Sequence, residues 1–134
     1  MNAAAPVAGP DRAETTETAD GYQIRAVKRI DPDEEYLRGH FPGYVLYPGV
    51  FFLETLQHAV AEGMRSAGRG EPVLTAVRSA RFVAPLTGGD ELTLTATLAF
   101  ADDRIVVKAR GHRSDGTLCS TLAAEFREGG APDA

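Results

Sequence analysis

The chain has 134 residues, 43% of them hydrophobic, and a formal net charge of −5. This length and apolar content suit one domain with a single core, and the negative charge gives no indication of a nucleic-acid partner. No apolar run approaches the roughly 18 residues of a membrane span, and the acidic start lacks the features of a signal peptide, so we expect a cytoplasmic protein without membrane contact. The lone cysteine, Cys119, excludes an internal disulfide and argues against a zinc site.

Both ends of the chain are predicted to be solvated tails. Residues 1–20 are rich in Ala, Pro, Thr, Glu and Asp without apolar periodicity, and residues 129–134 have a similar character. Neither segment can bury enough apolar surface to offset the entropy lost on ordering. We therefore predict disordered tails over 1–20 and 129–134 and one folded domain over 21–128.

Apolar periodicity and the Gly and Pro positions predict the elements of that domain. A strand is predicted over 22–30, a short helical turn over 33–37, and one long helix from 49 to about 67, closed by Gly68 and Gly70. Four more strands follow, rich in apolar and β-branched residues and separated by short turns that imply antiparallel neighbours. They are predicted over residues 73–82, 91–100, 104–111 and 117–126.

The strand over 91–100 alternates apolar residues with threonines, so it has one face for packing and one for water or a partner. A sheet with one apolar face needs a cover, and the long helix is the available one. The predicted fold class is therefore α+β, with a curved antiparallel sheet wrapped around one central helix.

The segment between the first strand and the helix carries an imidazole and a carboxylate. It reads Gly-His-Phe-Pro-Gly from Gly39 to Gly43 and continues through Pro48 and Gly49 to Glu54. One continuous helix would hold His40 and Glu54 about 21 Å apart, but the prolines and glycines between them break any helix. His40 is thus predicted on a loop and Glu54 early in the helix. Because the neighbours of Glu54 are apolar almost all round, we expect the first turns to be buried rather than amphipathic.

With this motif the chain resembles the hot-dog-fold 3-hydroxyacyl-[acyl-carrier-protein] dehydratases of the FabA/FabZ family, the FabZ type in particular. The family motif, H-F-P-G followed by P-G-V and a hydrophobic stretch ending in Glu, is matched with its spacing intact from His40 to Glu54. Arg81-Phe82 and Gly89-Asp90 resemble a later family segment, and the likeness covers roughly residues 22–127. The chain departs from the family at Gln57-His58, where Ala-Gln is usual, and at Gly88, where proline is usual. The FabA branch has Asp at the carboxylate position, so Glu54 favours dehydration without isomerisation.

The resemblance implies a hydro-lyase that dehydrates a carrier-protein-bound (3R)-3-hydroxyacyl thioester to the trans-2-enoyl thioester, in fatty-acid or polyketide biosynthesis. His40 would take the C2 proton, a protonated Glu54 would donate to the leaving hydroxyl, and the Gly49 N–H would bind the thioester carbonyl. The family pattern also implies that His40 of one chain faces Glu54 of another, in a homodimer, a heterodimer with another hot-dog subunit, or a higher oligomer. No metal or cofactor is expected, because the substrate arrives on the phosphopantetheine of an acyl carrier protein.

Further residues are candidates for the substrate and carrier surfaces. The candidates for the tunnel or its entrance are Phe41, Tyr44, Tyr47, Val50, Phe51 and His58, and those for carrier-protein contact are Arg78, Arg81, Arg110 and Arg113. A charged His58 one turn after Glu54 would depress the pKa of that carboxyl, so we expect His58 to be neutral, hydrogen-bonded or turned away.

Simpler interpretations of these residues stay open. The arginines could be ordinary solvated strand positions. The same fold also serves thioesterases and CoA-dependent enoyl hydratases, and the chain could supply one half of a heterodimeric dehydratase.

Overall fold

The computed structural model of the chain describes residues 10–29, 49–84 and 90–129. These ranges contain one helix and six strands. Their bounds are β1 Arg12–Glu17, β2 Gly21–Arg29, α1 Gly49–Ser66, β3 Pro72–Phe82, β4 Glu91–Phe100, β5 Ile105–His112 and β6 Leu118–Glu128. The predicted helix and five predicted strands are confirmed, whereas the helical turn predicted over 33–37 lies outside the described residues. Within the described ranges, no helix combines the length and the apolar character needed to cross a membrane.

Strand β1 shows that the predicted disordered tail over 1–20 is wrong for its second half. Arg12–Glu17 pairs antiparallel with β2, and the Asp11 carboxylate accepts a hydrogen bond from the Arg29 N–H at 2.7 Å. The β1–β2 turn is closed by the Thr18 N–H, which donates to the Gly21 carbonyl at 2.9 Å. An edge strand is held largely by backbone hydrogen bonds, so this polar segment forms a strand without alternating apolar residues. Such alternation is what a strand prediction from sequence relies on, and β1 was therefore missed.

The opposite end of the domain extends one residue beyond the predicted boundary. The Gly129 N–H donates to the Glu71 carbonyl at 2.6 Å, so the start of the tail predicted over 129–134 is attached to the sheet. Residues 130–134 and 1–9 lie outside the described part of the chain.

The sheet is antiparallel throughout and has the strand order β1-β2-β4-β5-β6-β3. The short turns after β4 and β5 join neighbouring strands, as predicted. The prediction fails between β3 and β4, because β3 pairs with β6 at the far edge. The Gly-Gly-Asp before β4 therefore belongs to a connection that passes two strands, although its composition is that of a tight turn.

The sheet curves around α1. Six strands at a spacing of about 4.8 Å span about 24 Å, whereas a helix with its side chains is only about 10 Å across. Yet α1 contacts both edge strands, β1 and β3, as well as β2 and β4. Only a curved sheet brings both of its edges to one helix, so the predicted wrapping is confirmed.

The last turn of α1 is fixed to the sheet by a cluster around Arg69. Gly68 adopts a positive φ of 74°, and the Arg69 N–H donates back to the Met64 carbonyl at 2.8 Å, which ends the helix in a glycine cap. The Arg69 guanidinium lies 4.3 Å from the Phe100 ring centroid and bonds the Glu128 carboxylate at 2.8 Å. Because the Gly70 N–H also bonds Glu128, at 2.7 Å, the helix end is tied to both β4 and β6.

Candidate active site

Glu54 lies in the second turn of α1 on the side that faces away from the sheet. Phe52, Thr55 and Leu56 are buried against the sheet, whereas Leu53 and Glu54 are only half-buried. The prediction that the first turns are buried all round is therefore wrong for the single chain. The sequence around Glu54 is apolar, but the helix shows only one of its apolar faces to its own sheet.

The N-terminus of α1 offers a polarised amide close to this carboxylate. Gly49 is the first residue of the 18-residue helix, and the first N–H groups of a helix have no acceptor within it. The helix dipole adds partial positive charge there. Five residues of helical rise place Glu54 about 7.5 Å further along the axis. One helix thus carries a polarised amide end and, further along its axis, a carboxyl group.

The structure gathers five of the predicted site residues on this helix. Gly49, Val50 and Phe51 form its first turn, and Glu54 and His58 follow on the next two turns. His40, Phe41, Tyr44 and Tyr47 lie outside the described residues. The meeting of His40 with Glu54 consequently stays a prediction.

His58 is exposed and lies one turn beyond Glu54 on the same side of α1. Among the described residues, no hydrogen bond joins the two side chains. In the single chain His58 therefore faces solvent.

Two of the four arginines predicted to contact a carrier protein form ion pairs within the chain, and the other two are exposed. Arg78 donates to the Glu125 carboxylate through Nε and one terminal nitrogen, at 3.0 and 3.1 Å, and this hydrogen bonding lowers the pKa of Glu125. Arg113 lies 3.4 Å from the Asp115 carboxylate, whose pKa is lowered mainly by hydrogen bonds from Thr117. Arg81 and Arg110 are exposed on the outer face of the sheet, which is the face turned away from α1.

Among the residues whose burial is described, three buried polar side chains were not predicted from the sequence: Ser120, Thr55 and Lys28. Ser120 is fully buried, and its Oγ has no hydrogen-bond partner among the described residues. A Cβ on the neighbouring Gly111 would lie 2.8 Å from this Oγ and 2.7 Å from Cε1 of Phe52. Gly111 therefore leaves the space that lets Phe52, in the first turn of α1, approach β5. The signal in the sequence was a serine at a core-facing position of the alternation in β6.

Within 10–29, 49–84 and 90–129, no group of three His, Cys, Asp or Glu side chains is arranged to hold a metal ion.

Comparison with known proteins adds a family match. The ApeI-like family model, described as ApeI dehydratase, matches residues 15–122. The 3-hydroxyacyl-[acyl-carrier-protein] dehydratase FabZ of Photorhabdus laumondii is 38% identical over 80 residues, covering 56% of this chain and 53% of the relative. The FabZ of Proteus mirabilis is 36% identical over 80 residues, which again cover 56% of this chain and 53% of the relative. The chain thus spans about half the length of the curated relatives it matches.

Solved structures share the whole architecture. The dehydratase heterocomplex ApeI:P from Xenorhabdus doucetiae matches with a TM-score of 0.69 at 16% identity, covering 94% of this chain and 86% of that chain. The E. coli PaaI protein from the phenylacetic acid degradation operon matches with a TM-score of 0.65 at 17% identity, covering 89% and 80%. These likenesses confirm the predicted hot-dog fold.

Proposed function

The chain belongs to the ApeI-like dehydratase family, and from that membership we propose that it dehydrates (3R)-3-hydroxyacyl thioesters carried on an acyl carrier protein. The product is the trans-2-enoyl thioester of fatty-acid or polyketide assembly. The observation that carries the proposal is the position of Glu54, half-buried on the outward side of α1 and about one and a half turns after the N-terminal end of that helix.

The elimination needs three groups, and the chain offers one residue for each. His40 takes the proton from C2 as general base, and Glu54 in its protonated form gives a proton to the departing C3 hydroxyl. Negative charge that develops on the thioester oxygen is stabilised by the Gly49 N–H at the helix N-terminus. The released water carries the Glu54 proton, and the proton held by His40 returns Glu54 to its starting state through solvent.

The proposed site is completed by a second hot-dog subunit. In the single chain, Glu54 is only half-buried and His58, one turn further along α1, is exposed. Among the described strands, β3 pairs on one side only, and exposed apolar side chains occur along it and just after it: Val73, Val77, Phe82 and Val83. A long apolar sheet edge is a surface that folded proteins cover. A second subunit there would bury Glu54 and could bring its own His40 to it, as a homodimer or a heterodimer.

Incubation with a 3-hydroxyacyl carrier protein tests the proposal, with the product identified by mass spectrometry. We expect loss of one water with the thioester retained. Glu54→Gln and His40→Ala are each expected to lower the turnover by about a hundredfold or more. Glu62→Gln, at an exposed carboxyl on the same helix, is the matched control and is expected to keep the wild-type rate.

The other outcomes of this assay separate the alternatives. Release of free acid would contradict dehydration and indicate a thioesterase. Turnover of the CoA thioester alone would indicate an enoyl hydratase. Inactivity of the pure chain that is restored by a second hot-dog subunit would indicate half of a heterodimeric dehydratase.

A further inference from the structure

The outer face of the sheet carries a trough of about 500 Å³. We call it the outer trough, and its polar lining comes from Ser79, Thr95, Thr97, Lys108, Arg110 and Thr121. These residues belong to β3, β4, β5 and β6. The trough lies on the opposite side of the sheet from α1 and Glu54, so it is separate from the proposed active site.

Strand register places a hydroxyl beside each cation of the trough. Arg110 is paired with Thr95 on β4 and with Thr121 on β6, and Lys108 is paired with Thr97 on β4. Directly opposed residues in an antiparallel pair have Cβ atoms about 5 Å apart. Lys108 and Arg110 alternate with buried residues along β5, so both side chains project from the outer face about 7 Å apart.

Within 10–29, 49–84 and 90–129, no carboxylate lines the trough, so its positive charge has no counter-ion there. The nearest outer-face acid on β6 is Glu125, and both of its oxygens are engaged by Arg78. Within the described part of the chain, neither Lys108 nor Arg110 forms an ion pair.

Arg81 adds a further positive charge in the row of paired residues that crosses the sheet through Arg110, because Thr121 is paired with both arginines. At the other end of the row, Arg25 is paired with Thr95 and stands opposite Glu14, which offsets its charge. Lys108 and Arg110 lie close together on β5, so they repel each other even though the whole chain has a net charge of −5. A bound anion would relieve that repulsion.

We propose that the outer trough binds a small molecule carrying a diphosphate group. The lining offers ammonium, guanidinium and hydroxyl donors, and phosphate oxygens accept strong charge-assisted hydrogen bonds from such groups. Two cations about 7 Å apart can each engage one of two linked phosphates. The volume falls in the range of small-molecule sites, about 300–1,000 Å³. The described lining supplies cationic and hydroxyl donors side by side and no carboxylate, which suits a small ligand with two linked phosphates.

Isothermal titration calorimetry of the whole chain with inorganic pyrophosphate and with ADP tests this proposal. Both are expected to bind, and adenosine is not. Lys108→Gln/Arg110→Gln is expected to weaken both ligands at least about tenfold, because charge-assisted bonds to phosphate are lost. Thr95→Val/Thr121→Val is expected to weaken them several-fold. Equal affinities would identify the diphosphate itself as the ligand, and tighter ADP would add a contribution from the nucleoside.

The matched control is Arg104→Gln/Arg127→Gln, which removes two exposed positive charges outside the trough and should change affinity less than about twofold. The four substituted cations are exposed and the two threonines are partly buried, and circular dichroism checks that each variant folds. Absence of binding to the wild type, or equal weakening by the control pair, overturns the proposal. A polyglutamate peptide that binds through Lys108 and Arg110 where pyrophosphate does not would overturn it in favour of an acidic protein.

Discussion

Gly111→Ala tests whether the first turn of α1 is positioned by close packing against β5. The added Cβ would lie 2.7 Å from Phe52 Cε1, 2.8 Å from Ser120 Oγ and 3.0 Å from Leu92 Cδ1. All three neighbours are fully buried, so none can move into solvent. Overpacking of this kind typically costs about 1–3 kcal/mol. Alanine in place of glycine within a strand would otherwise gain roughly 0.5–1 kcal/mol from lower backbone entropy in the unfolded chain. The expected net loss of unfolding free energy is therefore about 0–2.5 kcal/mol.

Urea denaturation followed by circular dichroism measures this loss, and a second substitution identifies its cause. Phe52→Leu removes the ring atom that the new methyl would meet. If the clash is the cause, Gly111→Ala should cost less free energy in the Phe52→Leu background than in the wild type, which gives a favourable coupling energy. Equal costs in both backgrounds, or a Gly111→Ala variant more stable than the wild type, would refute the reasoning.

Three further predictions concern other parts of the molecule. Ser120→Ala is expected to leave the unfolding free energy unchanged or to raise it, because the buried hydroxyl has no partner among the described residues, and a clear loss in urea denaturation would contradict this. The pKa of Glu128 is lowered by the hydrogen bond from the Gly70 N–H and, in addition, by Arg69, so its stabilising effect is present above the usual glutamate pKa and is lost as the pH falls through the lowered value. The melting temperature of the wild type should therefore exceed that of Glu128→Gln at neutral pH and approach it in acid, and a constant difference at all pH values would exclude this contribution. Val77→Lys on the β3 edge should shift sedimentation toward monomer whereas Thr16→Lys on the β1 edge should not, and a wild type that is already monomeric at micromolar concentration would contradict the two-subunit site.

The elements most visible in the sequence were those that bury one face in their own chain. Strand β4 alternates buried apolar residues with threonines along its length, and its predicted bounds match the structure. Strand β1 has no such alternation, because its stability comes from backbone pairing with β2. The placement of β3 beside β6 depends on contacts distant in sequence, which local turn composition does not encode.

The helix poses a different problem, since the sequence of its first turns is apolar on more than one side. Phe52 and Leu56 enter the core, whereas Leu53, on another side of the same turns, is only half-buried beside Glu54. Uniform burial was the natural prediction from sequence alone, and it fails because only one side of α1 packs on the chain's own sheet. The surplus apolar surface follows a physical requirement of the proposed chemistry. A carboxyl group that donates a proton near neutral pH needs an environment that disfavours its charged form. In this chain a second subunit packed on that half-exposed side would provide such an environment, so the apolar residues around Glu54 serve both assembly and acid catalysis.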